Sequence, residues 1–211
     1  MPEVSLKSLI IDQSKAIKGR STKQIVTKSH FVHGRNISGP FKKTFHDISL
    51  GLGCFWGAER KFWSEDGIFT TAVGYSGGYT ENPSYQEVCS GLTGHSEVVR
   101  IIYDPRIVSL EKILSIFWDS HDPTQGMRQG NDLGTQYRSS VYCTNQSQLD
   151  IVLNSKETYQ NLLSKSGYGK ITTEVSTNME FFYAEDYHQQ YLAKNPNGYC
   201  GLGGTGIKYP F

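Results

Sequence analysis

The stretch His46-Asp47-Ile48-Ser49-Leu50-Gly51-Leu52-Gly53-Cys54-Phe55-Trp56-Gly57-Ala58-Glu59 changes its period halfway along. From His46 to Leu52 the residues alternate, with Ile48, Leu50 and Leu52 on one face, and this predicts a half-buried strand. From Cys54 the repeat lengthens. Phe55 with Phe62 and Trp56 with Trp63 recur two turns apart, which predicts a helix over 54–65 that ends near Gly67. A thiol therefore stands where a strand hands over to a helix. The positive end of the helix dipole favours thiolate over thiol there, so Cys54 is a candidate nucleophile, and Phe55 and Trp56 can wall an apolar pocket for a small uncharged group. The alternative is a cysteine that only packs. Gly53 and Gly57 count against it, because they let a ligand approach the backbone closely.

Moving outward, Ile68 to Tyr75 reads as a second strand and Glu97 to Tyr103 as a third, closed by the Asp104-Pro105 turn. Between them runs a long Gly/Pro/Asn-rich loop, Ser76 to Gly94, too long to be idle in a compact domain. Ser109 can cap a helix with the apolar stripe Leu110, Ile113, Leu114, Phe117 and Trp118. A second loop, His121 to Gly134, leads into a fourth strand over 135–143. The order β-α-β-β-α-β predicts an α+β fold, a two-layer sandwich with a ferredoxin-like core and helices on one face. A helix over 146–163, a strand around 171–175 and a short helix over 184–192 should follow. The expected division is a basic N-terminal arm over 1–43, a catalytic domain over 44–195, and an irregular, flexible Gly-rich tail over 196–211.

The chain has 211 residues, 37% of them hydrophobic, enough for one sizeable core. It holds no apolar run of membrane-spanning length, and Leu9-Ile10-Ile11 is too short for a secretory core, so a soluble chain is expected. Cys54, Cys89, Cys143 and Cys200 form no C-x-x-C pair, which argues against zinc and against a disulfide-stapled secreted domain. A reducing, cytoplasmic setting follows. Net charge is +1, but residues 1–43 carry +7 and the remainder −6. The basic arm could be a transit peptide or touch nucleic acid; the preferred reading is an arm wrapped on an acidic body.

Glu97 shares a strand face with Val99, Ile101 and Tyr103. A desolvated carboxyl there would stay protonated and serve as a general acid, with a water-facing edge carboxylate as the alternative. Among 13 tyrosines, Tyr85 and Tyr137 lie beside the two loops that can border Cys54, where their phenols could hold a substrate oxygen. Asp132 could orient them, or be a turn residue. Cys200, in Gly198-Tyr199-Cys200-Gly201, has the mobility a resolving thiol needs to attack an oxidised sulfur, unless it is a spectator. Cys89 and Cys143 read as packing residues, and His95 and His188 as candidate bases. Gly201 to Gly206 matches G-x-G-x-x-G but neither follows a βαβ strand nor opens a helix, which rejects dinucleotide binding.

These residues sit in GCFWGAE (Gly53–Glu59), GYSGG (Gly74–Gly78), GHSEVV (Gly94–Val99), HDPTQ (His121–Gln125), GNDLGTQYRS (Gly130–Ser139), AEDYHQQYL (Ala184–Leu192) and GYCGLGG (Gly198–Gly204). Together, from about Ile48 to Ile207, they resemble the A class of peptide methionine sulfoxide reductases. The resemblance implies reduction of methionine S-sulfoxide, free or in oxidised proteins, as a repair reaction. It makes Cys54 the nucleophile, Glu97 the acid, Tyr85 and Tyr137 the oxygen-binding phenols, Asp132 their support, and Phe55 and Trp56 the methyl pocket. A Cys54 sulfenic acid would form a disulfide with Cys200, which thioredoxin reduces; no metal or bound cofactor is implied, and a monomer is expected. Some relatives carry a second tail cysteine in the region where this chain has Lys208, which argues against a two-disulfide relay. Two rivals fit less well. A Cys–His hydrolase leaves Glu97 and the tail without roles. An RNA-binding module needs spaced aromatics that Ser96 to Tyr103 lacks.

Overall fold

Alternation over His46–Leu52 produces β1, with Ile48, Leu50 and Leu52 wholly buried. In this computed structural model the described residues are 9–211, so the first eight residues of the expected arm lie outside them. The chain continues through α1 (Phe55–Phe62), β2 (Ile68–Ser76), α2 (Tyr85–Cys89), β3 (Ser96–Tyr103) and α3 (Leu110–Ser120). A small hairpin, β4 (Arg128–Gln129) with β5 (Asp132–Leu133), precedes β6 (Ser139–Cys143) and α4 (Gln146–Lys165). The short elements β7 (Glu174–Thr177), β8 (Phe182–Tyr183) and α5 (Tyr191–Lys194) complete it. The architecture is mixed α/β around one principal sheet, ordered β7-β6-β1-β3-β2-β8. Neighbouring strands run antiparallel except β6 with β7.

One face of that sheet supplies Ile48, Leu50, Leu52, Val99, Ile101, Tyr103, Val141 and Cys143 to the main core. Against them pack Ala58 and Phe62 of α1, the predicted α3 stripe, and Val152, Tyr159 and Leu163 of α4. Each buried aliphatic or aromatic side chain contributes about 1.5–3 kcal/mol, so this face fixes where α1 begins. Ser109 caps α3 by accepting from the Lys112 amide, as its sequence position predicts.

Several boundaries differ from expectation. The Ser76–Gly94 segment contains α2, closed by a capping box in which Ser84 and Glu87 satisfy each other's amides. The predicted strand over 135–143 loses its first four residues. Thr135–Tyr137 is a 3-10 turn, held because the Arg138 guanidinium donates to the Thr135 carbonyl at 2.9 Å. The strand expected at 171–175 lies at Glu174–Thr177, where the register with β6 places it. Ile171 and Thr172 give their amides instead to Gln160 Oε1 and the Pro123 carbonyl. The helix expected over 184–192 is broken by Gln190, which is left-handed at φ 49°.

The N-terminal segment follows the body through specific bonds. The Ile17 amide donates to the Leu92 carbonyl at 2.9 Å, Arg20 pairs with Glu87, and Arg35 donates to the Ile68 and Phe69 carbonyls. Residues 196–211 carry no regular element, yet Leu202, Ile207 and Tyr209 pack against the main core. The Tyr159 phenol donates to the Ile207 carbonyl at 2.9 Å, and the Tyr209 amide to Asp119 at 2.8 Å. No helix among the described residues is long and apolar enough to cross a membrane.

Candidate active site

Cys54 is the N-cap of α1, half-buried at the end of β1. Gly53, at φ 101°, makes the turn that only glycine adopts freely. The electrostatics correct one expectation. The thiol is pushed up, not down: burial is the main cause and the Glu97 carboxyl adds to it. The amides of Trp56 and Gly57 pull the other way without closing a capping hydrogen bond. At this position desolvation outweighs the pull of the helix dipole.

Glu97 enters from β3, paired with Tyr75 of β2, and is 1% exposed. Its Oε2 accepts from the Phe55 amide at 3.0 Å, so the carboxyl lies against the residue beside Cys54. Burial raises its pKa to about 8, the Phe55 bond opposing and Asp132 reinforcing. The water-facing alternative is excluded by this burial. With Oε2 occupied as an acceptor, Oε1 is left to carry the proton.

Tyr85 opens α2 and Tyr137 ends the 3-10 turn, both half-buried. Burial and then Glu97 raise each phenol well above its ordinary value, and Tyr137 also feels Asp132 and Cys54. Both therefore remain donors near the acid. Asp132 stands in β5, its pKa raised by burial; the bonding partner of its Oδ2 is the Tyr199 phenol at 3.5 Å, not Tyr85 or Tyr137. Phe55 is buried in a second apolar cluster with Val73, Tyr75, Val88 and Ala184, and half-buried Trp56 packs on it. Cys200 comes over α1 from the tail. A Cβ built on Gly57 would fall 2.8 Å from the Cys200 Sγ, so this sulfur rests on the first turn of the helix that Cys54 caps. Both thiols are free.

Sequence reading missed the second layer around Trp56. Its indole N–H donates to His188 Nδ1 at 2.9 Å, and its face stacks on Tyr191 at 3.8 Å. Glu185 accepts from the Tyr75 phenol at 3.0 Å and the Tyr85 amide at 2.8 Å, tying both aromatics together. The clustering of Glu, Tyr, His and Gln in Ala184–Leu192 was the available signal. Cys89, read as packing, is hydrogen-bonded by the Tyr85 phenol. The imidazoles are committed elsewhere. His95 accepts from the Gly78 amide and donates to the Thr80 carbonyl, while burial lowers His188 to about 4. Neither is placed as a base for Cys54.

The arrangement joins a thiol, a neutral acid, two phenols, an aromatic wall and a second thiol at one end of α1. A family model described as "Peptide methionine sulfoxide reductase" matches residues 46–206. The chain is 55% identical to peptide methionine sulfoxide reductase MsrA 1 of Synechocystis sp., over 97% of this chain and 92% of the relative. Among solved structures, methionine sulfoxide reductase A of Corynebacterium diphtheriae superposes with a TM-score of 0.86 at 39% identity, covering 96% of this chain and all of that one. Mxr1 of Saccharomyces cerevisiae in reduced form superposes at 0.71 with 34% identity, over 78% of this chain and 94% of that one. Mxr1 has also been solved in complex with Trx2.

Proposed function

The chain belongs to the A class of peptide methionine sulfoxide reductases, and we propose that it works through a Cys54 sulfenic acid resolved by Cys200. Cys54 sulfur attacks the sulfoxide sulfur while the Glu97 proton goes to the oxygen, and the thiol proton then restores Glu97 to its acid form. The S–O bond then breaks, the oxygen passes with its proton to the Cys54 sulfur, and the S–S bond formed in the attack breaks with its electron pair left on methionine. Methionine sulfoxide is reduced by two electrons and Cys54 is oxidised by two, with no net proton consumed. The Cys200 thiol next attacks the sulfenic sulfur, forming the disulfide and expelling water. An external dithiol, thioredoxin by analogy with the Mxr1 complex, regenerates both thiols by exchange.

Tyr85 and Tyr137 hold the departing oxygen, where donors aimed at developing charge are worth most in a dry site. Phe55 and Trp56 receive the methyl group, and Asp132 supports the rim through Tyr199. Substrates are the S-epimer of methionine sulfoxide, free or in oxidised proteins, and a reducing cytoplasm suits a monomeric enzyme with this chemistry. The basic segment before residue 44 serves as an arm on the catalytic domain, and the tail after residue 195 as the carrier of the resolving thiol.

The observation that carries the reading is a carboxyl buried beside the nucleophile and kept protonated to about pH 8, 3.0 Å from the amide that follows Cys54. Thiol counting tests it. Without reductant, methionine sulfoxide should release one methionine per chain and consume two thiols, which mass spectrometry should find as a Cys54–Cys200 pair. Cys200→Ser should release one methionine and then stall with thioredoxin. A different linked pair, or sustained turnover of Cys200→Ser with thioredoxin, overturns the resolving step.

A further inference from the structure

Glu59 is 0% exposed on α1, one turn beyond Trp56, and the mechanism above gives it no task. A carboxyl in such a place is normally neutralised by a cation. Here the nearest candidate is His30, 3.8 Å away, and burial together with His33 lowers that imidazole to about 3, so it is uncharged. Its tautomer follows from its partners. Nδ1 accepts from the Val32 amide at 3.2 Å, so Nε2 carries the proton and donates to Thr71 Oγ1 at 3.0 Å. The Thr71 hydroxyl donates onward to Glu59 Oε1 at 2.9 Å.

The remaining acceptor capacity goes to one residue. Gln190 donates its backbone N–H to Glu59 Oε2 and its side-chain Nε2 to Oε1, each at 2.7 Å. Gln190 is the left-handed residue that breaks the expected helix, a conformation unfavourable for a non-glycine residue that persists only where its surroundings impose it. It lies between the two residues that grip Trp56: His188 on the indole nitrogen and Tyr191 on the indole face. Glu59 and Trp56 share a helix, and Gln190 shares a segment with both restraints. The carboxylate closes that loop.

We propose that Glu59 is a positioning residue for the methyl pocket: by clamping Gln190 it sets His188 and Tyr191 against Trp56, and so governs substrate capture without touching substrate. This rests on the reading of Trp56 as pocket wall. If the clamp is lost and the gripped form of Trp56 falls to about a tenth of molecules, apparent affinity falls by the same factor.

The test uses the full chain labelled with 5-fluorotryptophan, the Trp56 fluorine line being assigned with Trp56→Phe. In Glu59→Leu the Trp56 line should shift or broaden while that of buried Trp118 stays. KM for methionine sulfoxide should rise about tenfold, with the saturated first-turnover rate within about threefold of wild type. Gln190→Gly keeps the left-handed backbone but deletes the side-chain bond, and should show the same pattern more weakly; it carries the test if Glu59→Leu does not fold. A folded variant with an unmoved Trp56 line, or with the loss confined to kcat, overturns the proposal. Should the line move while Trp56→Ala leaves KM unchanged, the pocket assignment is what fails.

Discussion

Two groups at one site titrate in the same direction for the same reason. Glu97 is buried and Cys54 half-buried; desolvation is the main cause that raises both, and the Glu97 carboxyl further raises the thiol. That suits a reaction in which the acid must keep its proton until oxygen departs. Glu97→Gln should lower the first-turnover rate by about 10²–10⁴-fold, the range of positioned acid catalysis, and leave substrate affinity nearly unchanged. The wild-type rate should also fall as pH rises through about 8, where Glu97 loses its proton, and this limb should vanish in the Gln variant. Stopped-flow release of methionine across pH 6–9 measures both; an undiminished rate in Glu97→Gln removes the acid from the mechanism. At this scale the sequence was informative where chemistry is carried by type and neighbour. Cys54 and Glu97 stood out from a dipole and a strand face. Glu59 and Gln190 did not, because a buried carboxylate with amide partners leaves no periodic trace and its partner lies on a distant segment.

Among elements, the decisive contact is between α1 and the tail. Gly57 lies on the first turn of α1, and a methyl there would meet Cys200 Sγ at 2.8 Å and Leu202 Cδ1 at 3.0 Å. Alanine is a better helix former than glycine, so Gly57→Ala should leave α1 intact and push the tail away. The expected signature is a normal burst of one methionine with disulfide formation slowed about tenfold, since correct placement of two reacting groups is worth at least that much. Rapid quenching with a thiol-blocking reagent, followed by mass spectrometry, separates the two steps; equal slowing of both would contradict the tail's role. The long elements were legible because their apolar periods survive folding: β1, β2, β3, α3 and α4 begin within a residue of expectation. The misreadings fall where nonlocal or short-range polar bonds decide. Arg138 turns Thr135–Tyr137 away from strand, the capping box makes a helix of 85–89, and pairing with β6 moves β7 along the chain.

Over the whole molecule, the buried ionisable groups divide into two opposed sets. His30, His121 and His188 are lowered from 6.5 to about 3, 4 and 4, and His95 is lowered as well, all mainly by burial. The folded chain therefore binds fewer protons than the unfolded one below pH 6.5, and these groups make stability rise as pH climbs to that value. Glu59 and Glu97 are raised from 4.5 to about 7 and 8, again by burial. Between those limits the folded chain holds the extra protons, so stability falls with rising pH. Four histidines against two acids leave the balance rising to about pH 6.5. Beyond it the unfolded histidines shed their remaining protons and the two acids outweigh them. Stability should peak near pH 6.5 and drop by about 1 kcal/mol by pH 8, at most 1.4 kcal/mol per group per pH unit. Urea unfolding at half-unit intervals measures this. Glu97→Gln should flatten the segment between pH 7 and 8, where Glu59 has already ionised, while Glu59→Gln should flatten mainly the segment below 7. A wild-type curve that climbs to pH 8 would mean that these carboxyls are ionised in the folded chain, and the acid assigned to catalysis would have no proton to give.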